Sequence, residues 1–599
     1  MANYDDDARA TKDKLNSISP SMCMAKWLQV SLHLPQGRTH SCYHPPTHRI
    51  PLSELSANPN ALHNTKFKLE ERKQMKQGKR PEGCQYCWNV EDAPKAPPEG
   101  RLSDRHYRSS EWWVKDAWNE VVENDWDHDI APRYVEVNFN QACNFKCMYC
   151  SPHLSTTWEE DVKKHGPFNF SVGEFKSHNE IASLETMELM PLKLSQKENP
   201  YVTAFWEWFP NIYKDLKVFR MTGGEPLMDK NTFKIFDYIK QNPNPNLEIS
   251  LTTNLCPPTD DLFDKFLDKI KELDEPVIPE NDMSKTVLDL DWYKHNIKEN
   301  YKRIIFYVED PKDGSSWKTW KQQIVKESLQ TTEFAFEHKI VDKITTINFE
   351  DIKQTFTGIG PCDDEYDNSF LYVSEYIFNK EHKIWEHQFN NVYAKHISIF
   401  VSLDGVGSQA EYMRNGLNFE KLKNNIDRLL SSTKRVSVSF INTFNLLSID
   451  SLDQYLQYIL ELRNKYDYAY QENNDYSKKA QRIWFDIPYL RYPPWMTIQL
   501  ADNRMLDKIS DTIEFMKQNV LTDKEYGKTF HGFKNYEVLK LERNLAWAQT
   551  GRDEISEQDY TERMIQFVEY FTEYDRRCNT NFLETFPEMT DFWEIANEF

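Results

Sequence analysis

Between Arg133 and Cys150 the chain reads Arg-Tyr-Val-Glu-Val-Asn-Phe-Asn-Gln-Ala-Cys-Asn-Phe-Lys-Cys-Met-Tyr-Cys, an alternation of period two that runs directly into a C-x3-C-x2-C run. The alternation predicts a strand, and the run confines the thiols of Cys143, Cys147 and Cys150 to one short loop at its C-terminal end. Three thiolates can hold a four-iron cluster while leaving one iron open to another ligand. Zinc is the competing reading; it normally closes with four ligands, and the nearest fourth here is His153.

The same strand-then-loop pattern recurs. Lys217 to Thr222 is strand-like and ends in the turn Gly223-Gly224-Glu225-Pro226, followed by a helical spacing of Phe233, Phe236 and Ile239. Further units follow: Leu247 to Thr253 before a helix through Phe263, Phe266 and Ile270; Ile397 to Leu403 before Phe419, Leu422, Ile426 and Leu429; Val436 to Ile441 before Leu452, Leu456 and Ile459; and Ile483 to Ile487 before a helix near Asp502 to Gln518. Six β/α units predict an α/β fold, a partial (β/α)6 TIM-type barrel whose active face lies at the strand C-terminal ends. The expected divisions are a polar tail over 1–20, a small Cys-rich domain over 21–95, a linker over 96–132, the barrel over 133–520 and a helical region over 521–599. The barrel carries insertions at about 155–215 and 257–395, and the helical and charged stretches of the second have no assignment.

At 599 residues the chain is too long for a single core, and 39% apolar with 14% aromatic residues supplies the material for several. A formal charge of −21 disfavours nucleic acid as the main partner. No stretch approaches the roughly 18 apolar residues of a membrane span, so a soluble, cytoplasmic protein is expected. Ten cysteines are too few for a secreted disulfide scaffold.

Four of those cysteines form a second set. Cys23 precedes a strand-like Leu28 to Leu34, a Pro35-Gln-Gly37 turn and Cys42, and a charged helix-like segment then leads to Gly83-Cys84-Gln-Tyr-Cys87. Four thiols suit a fully ligated four-iron cluster, and zinc ribbons share the spacing, with His40, His44 and His48 close by as ordinary loop residues. Cys256 follows the third barrel strand and reads as a buried thiol on the expected active face. Cys362 and Cys578 fall in no pattern.

Taken together, the three-cysteine loop, the Gly-Gly-Glu-Pro turn, the Ser402-Leu-Asp404-Gly405 turn and the N-terminal four-cysteine set resemble a radical S-adenosylmethionine (SAM) enzyme with an auxiliary-cluster domain of the twitch/SPASM kind. The resemblance covers about the first 90 residues and, patchily, 133–494. It implies a 4Fe-4S cluster on Cys143, Cys147 and Cys150, SAM on its open iron, and reductive cleavage to methionine and a 5'-deoxyadenosyl radical. It implies SAM contacts from Tyr149 beside the adenine, Gly223, Gly224 and Glu225 at the ammonium, and Ser402, Asp404 and Arg414 around the ribose and carboxylate, with Asn254 and Asn442 reaching toward ribose or substrate. It implies a second, auxiliary 4Fe-4S cluster on Cys23, Cys42, Cys84 and Cys87. In the family that domain ordinarily follows the barrel, so its N-terminal place is a departure, and the domain must fold back to the barrel mouth to serve the substrate. The leading expectation is modification of a peptide or protein side chain, with an electron donor such as a flavodoxin or ferredoxin. The alternatives are a radical SAM enzyme acting on a small metabolite, a sugar or nucleotide, and a non-catalytic zinc-binding barrel protein.

Overall fold

A computed structural model describes residues 6–93, 101–173, 179–193, 198–275, 392–466, 481–522 and 531–599, with backbone alone for residues 2–5 and for strands within 301–388 and 470–480. The chain is mixed α/β and divides into two compact units, one of residues 1–234, 248–268 and 396–599, the other of 235–247 and 269–395.

A nine-stranded, mostly parallel sheet organises the fold. Its strands are β1 (Gln29–His33), β2 (Arg38–His40), β3 (His48–Arg49), β4 (Tyr134–Asn138), β5 (Val218–Thr222), β6 (Asn244–Thr253), β7 (Ala394–Ser402), β8 (Val436–Ile441) and β9 (Ile483–Asp486). Across the sheet they run β9-β8-β7-β6-β5-β4-β1-β2-β3. The six strands expected from the sequence are all present and lie side by side in chain order, β4 to β9. Each crossover therefore steps one place in the same direction, and because such crossovers are right-handed, steps in one direction carry their helices to one face. The helices between strands bury the faces their periodicity marks. In Phe419–Ser432, capped by the Asn418 side chain accepting from Lys421 N at 2.8 Å, the buried residues include Phe419, Leu422, Ile426, Leu429 and Leu430. Each such side chain contributes about 1.5–3 kcal/mol by leaving water. β7 shows the matching sheet signature: Ile397, Ile399 and Val401 are fully buried, with partly exposed neighbours between them.

The N-terminal segment also joins this sheet. β1 pairs parallel with β4, Gln29 opposite Tyr134 through His33 opposite Asn138, and β2 turns back antiparallel with His40 opposite Ser31. The turn between them places Gly37 at φ +63°. The sheet thus runs unbroken across the boundary expected between the Cys-rich region and the barrel.

In the second unit the chain forms a five-stranded antiparallel sheet from Tyr301–Glu309, Thr319–Lys326, Phe334–Ile340, Phe370–Asn379 and Ile384–Gln388. This part of the 257–395 insertion had no assignment from sequence, yet Tyr301-Lys-Arg-Ile-Ile-Phe-Tyr-Val-Glu is rich in β-branched and aromatic residues, the composition that fits a pleated surface. The C-terminal region is helical as expected, chiefly Asn535–Glu554 and Glu557–Cys578. Among the described residues, no helix is long and apolar enough to cross a membrane.

Candidate active site

The three-cysteine loop leaves the C-terminal end of β4, and the turn after β5 is stitched onto its first residues. Glu225 N donates to Ala142 O at 2.6 Å and Gly224 N to Asn140 O at 3.4 Å. This approach leaves no room for a side chain. A Cβ on Gly224 would lie 2.3 Å from Ala142 O, and Gly223, at φ +135°, would meet Asn138 Oδ1 at 2.6 Å. The two glycines are thus required by the contact between loop and turn, before any ligand is considered.

Glu225 is 1% exposed, and its carboxylate ties the ends of β5 and β6 together. Oε1 accepts from Leu227 N (3.0 Å) and Thr253 Oγ1 (2.6 Å), and Oε2 accepts from Asn254 N (2.7 Å). Burial pushes the carboxyl up to about 7, outweighing those three donors. Asn254 Nδ2 reaches Asn144 Oδ1 of the cysteine loop at 2.9 Å, and Asn144 Nδ2 donates to Cys256 O at 2.8 Å. The turns after β4, β5 and β6 form one hydrogen-bonded platform.

A second group converges from the far side of the loop. Residues Lys146–Cys147 pair antiparallel with Arg414–Asn415. Arg414, 6% exposed, places Nε 2.9 Å from Asp404 Oδ2 and donates Nη1 to Cys147 Sγ at 3.4 Å. Tyr149 Oη donates to Asp404 Oδ2 at 2.7 Å and accepts from Arg414 Nη2. Fully buried Asp404 also accepts from Thr443 N at 2.8 Å through Oδ1. Burial opposes the Arg414 charge, and Asp404 and Tyr149 overcome it, holding the guanidinium well above its ordinary value. Ser402 ends β7 opposite Ile441 in the β7–β8 pair.

The sequence-derived residues Cys143, Cys147, Cys150, Tyr149, Gly223, Gly224, Glu225, Asn254, Asp404 and Arg414 therefore meet at one end of the sheet. Burial raises all three thiols: Cys143 to about 12 with Cys147 adding, and Cys150 through both neighbours, while Arg414 pulls Cys147 back. Thiols that repel one another's charge so closely suit a shared cationic centre, which would hold them deprotonated. Phe145 N–H already points at Cys143 Sγ, 3.5 Å away. Asn138 and Asn442 each keep a buried side-chain oxygen without a hydrogen-bond partner, available to a bound donor. Beside the platform, Cys256 is 4% exposed, with Sγ 3.9 Å from Asn418 O and its thiol pushed up to about 12 by burial.

Cys23, Cys42, Cys84 and Cys87 also come together. They line one small cavity of about 20 Å³ with Lys26, Arg105, Arg108, His44 and Asp104. Burial raises the Cys42 thiol to about 12, with Cys23 contributing, and Cys84 and Cys87 shift the same way. Lys26 is held above its ordinary value against burial by Cys84 and by Glu71, 2.7 Å from its Nζ. Cys23 lies ahead of β1 and Cys42 beyond the end of antiparallel β2, so this cavity sits at the N-terminal ends of β1 and β4. The three-cysteine loop leaves the opposite end of β4; the paired strands between them span roughly 13 Å at the usual rise per residue. Among the described residues, no three His, Cys, Asp or Glu side chains close to the spacing of ligands on one ion. His40, His44 and His48 have side-chain or backbone partners in Cys42 O, Asp104 and Thr65. Cys362 lies outside the described residues, and Cys578 is half-buried in the C-terminal helix.

Motif reading passed over Thr253, Asn144, Trp158, Tyr570 and Tyr574. The two tyrosines did carry a signal: they fall on the same helical stripe as Phe567 and Phe571, where a buried hydroxyl needs a partner.

Comparison with known proteins gives one limited likeness. The chain is 27% identical over 122 residues to a GTP 3',8-cyclase of Nautilia profundicola, an alignment covering 20% of this chain and 27% of the relative. The chain therefore spans about a quarter of that relative's length. No described protein family and no solved structure matches.

Proposed function

We propose that the chain is a radical SAM enzyme, with a 4Fe-4S cluster on Cys143, Cys147 and Cys150 and with SAM bound across the Gly223–Glu225 turn and the Asp404–Arg414 pair. The observation that carries this reading is the convergence of the three-thiol loop, the Gly-Gly-Glu turn and the Tyr149–Asp404–Arg414 group at the C-terminal end of one parallel sheet. The likeness to the GTP 3',8-cyclase supports it. When bound, cluster and SAM supply a 5'-deoxyadenosyl radical. The chain's own residues hold and shield the site. Gly223 and Gly224 bring backbone groups against the loop, and Glu225 fixes the ends of β5 and β6. Because the Glu225 carboxylate already accepts three hydrogen bonds, it would offer a SAM ammonium at most one more, and the turn's backbone oxygens would have to supply the rest. Arg414 keeps a positive charge beside Cys147 and orients Tyr149. In this reading the sheet is the open barrel expected from the sequence.

The N-terminal thiols fit a second 4Fe-4S cluster. Four cysteines share a cavity whose lining has three cations, Lys26, Arg105 and Arg108, against one carboxylate, Asp104, which suits an anionic group. Among substrates, a small metabolite is the reading that the GTP-named relative favours, and no observation favours a peptide.

Iron and acid-labile sulfide after anaerobic reconstitution test both sites: two clusters give about eight of each per chain, one gives about four. Production of 5'-deoxyadenosine under strong reductant, enhanced by the small-molecule fraction of a cell extract, supports the whole reading. No iron, or enhancement confined to the macromolecular fraction, sinks the first or second part of it respectively.

A further inference from the structure

Three carbonyls of the cysteine loop accept from side chains of two helices, the one that follows the loop and the distant C-terminal one. Trp158 Nε1 donates to Cys147 O at 2.9 Å, Tyr574 Oη to Lys146 O at 3.0 Å, and Tyr570 Oη to Met148 O. Tyr574 Oη is also 3.0 Å from Tyr412 O, so its one hydroxyl hydrogen is shared between the loop and the helix that leads into Arg414. Both tyrosines come from the C-terminal helix Glu557–Cys578, more than 400 residues away in sequence, and are 2% and 0% exposed. In a trans peptide the C=O and N–H point opposite ways. A held Lys146 carbonyl therefore fixes Cys147 N–H on the opposite side of that peptide, and a held Met148 carbonyl does the same for Tyr149 N–H. Packing alone does not call for the hydroxyls. The ring of Tyr570 stacks on Phe168 and that of Tyr574 packs at a tilt against Tyr412, and phenylalanines occupy positions 567 and 571 on the same helix face.

The geometry points to Tyr570 and Tyr574 as positioning residues for the three-cysteine loop: their hydroxyls hold two of its peptides with N–H groups facing the thiols and so raise the reduction potential of the cluster bound there. This rests on the cluster reading proposed above. Hydrogen bonds to a cluster's sulfurs stabilise the more negative, reduced state, so peptides freed to rotate make reduction harder.

The test uses the reconstituted full chain with Tyr570→Phe, Tyr574→Phe and the double variant. A reductive titration is followed by the electron paramagnetic resonance signal that changes when SAM is added, which singles out the cluster with an open iron. The expected result is unchanged iron and sulfide with a midpoint shifted to more negative potential in each variant, further in the double. Phe571→Leu, a packing change on the same helix, leaves the midpoint in place. An unchanged midpoint in both tyrosine variants, or an equal shift in Phe571→Leu, overturns the proposal. Tyr570→Phe removes a single bond and decides the matter if Tyr574→Phe loses iron. Failure of the cluster reading looks different: the unsubstituted chain then shows no SAM-responsive signal at all.

Discussion

Glu225 makes a quantitative prediction about how stability depends on pH. Its buried carboxyl has a folded-state value raised from the usual 4.5 to about 7. A group raised in this way contributes stability that is fully present below the unfolded value and is lost as pH rises through the folded one. Between pH 5 and pH 8 the loss integrates to about 2.5 kcal/mol. Glu225→Gln removes the titration while keeping the shape. It also sets an amide N–H2 against a backbone donor in either orientation, Leu227 N at the Oε1 position or Asn254 N at the Oε2 position. That mismatch costs about 1–3 kcal/mol. The variant is therefore less stable than the parent at pH 5, and the gap shrinks by about 2.5 kcal/mol on going to pH 8. Urea unfolding of both iron-free chains at pH 5, 6, 7 and 8, followed by tryptophan fluorescence, measures it. A gap that stays constant within about 0.5 kcal/mol across the series would refute the claim that burial governs this carboxyl.

Gly224→Ala drives a Cβ into the backbone oxygens of Ala142 and Gln141, which cannot swing aside as a side chain can. A loss of about 1–3 kcal/mol is expected, with iron content falling alongside; full iron and parental stability would contradict the stitched turn. For Cys256→Ala, a buried thiol resting on Asn418 O, the expected cost is about 1–2 kcal/mol with 5'-deoxyadenosine formation retained, and loss of product alone would instead give the thiol a chemical role. Arg463 pairs with Glu537 at 2.8 Å, the two side chains 0% and 1% exposed, so Arg463→Met strands a buried carboxylate and costs about 3–5 kcal/mol. A thermal midpoint within a degree of the parent's would show that this pair does not anchor the helix Asn535–Glu554 to β9.

The strands of the parallel sheet were legible because each is an alternation of buried and partly exposed residues closed by a turn, as in β7, and the buried set leaves that pattern little freedom. Their order was legible too, since right-handed crossovers in one direction place successive strands side by side, even across the two long insertions. The role of β1 was not. Leu28 to Leu34 reads equally well as a strand of a separate small domain, and only the register Gln29 to Tyr134 assigns it to the larger sheet. Local pattern specifies that a strand exists; its partner is a tertiary choice that hydrogen-bonding groups alone do not encode. The same limit applies to the antiparallel sheet of the second unit, where charged residues between the apolar ones blur the period.

At the site, sequence motifs picked out residues that the structure brings together, and the structure adds the groups that hold them. Arg414 illustrates the difference. Its place after Asp404 suggested a partner for the SAM carboxylate, yet its guanidinium lies against Asp404, Tyr149 and Cys147 inside the protein. A buried arginine already neutralised by an aspartate has less charge to offer an incoming carboxylate than an exposed one, and moving it would strand Asp404 uncompensated. The pair is therefore better suited to setting the electrostatics around Cys147 and aligning the ring of Tyr149 than to releasing its salt bridge at each turnover. In the SAM reading a ligand carboxylate would meet only the N–H bonds that Arg414 has left over, with Asp404 still bound, which calls for both residues at once. Asp404→Asn should weaken SAM binding by disordering Arg414, even though it removes a negative charge from beside an anionic group.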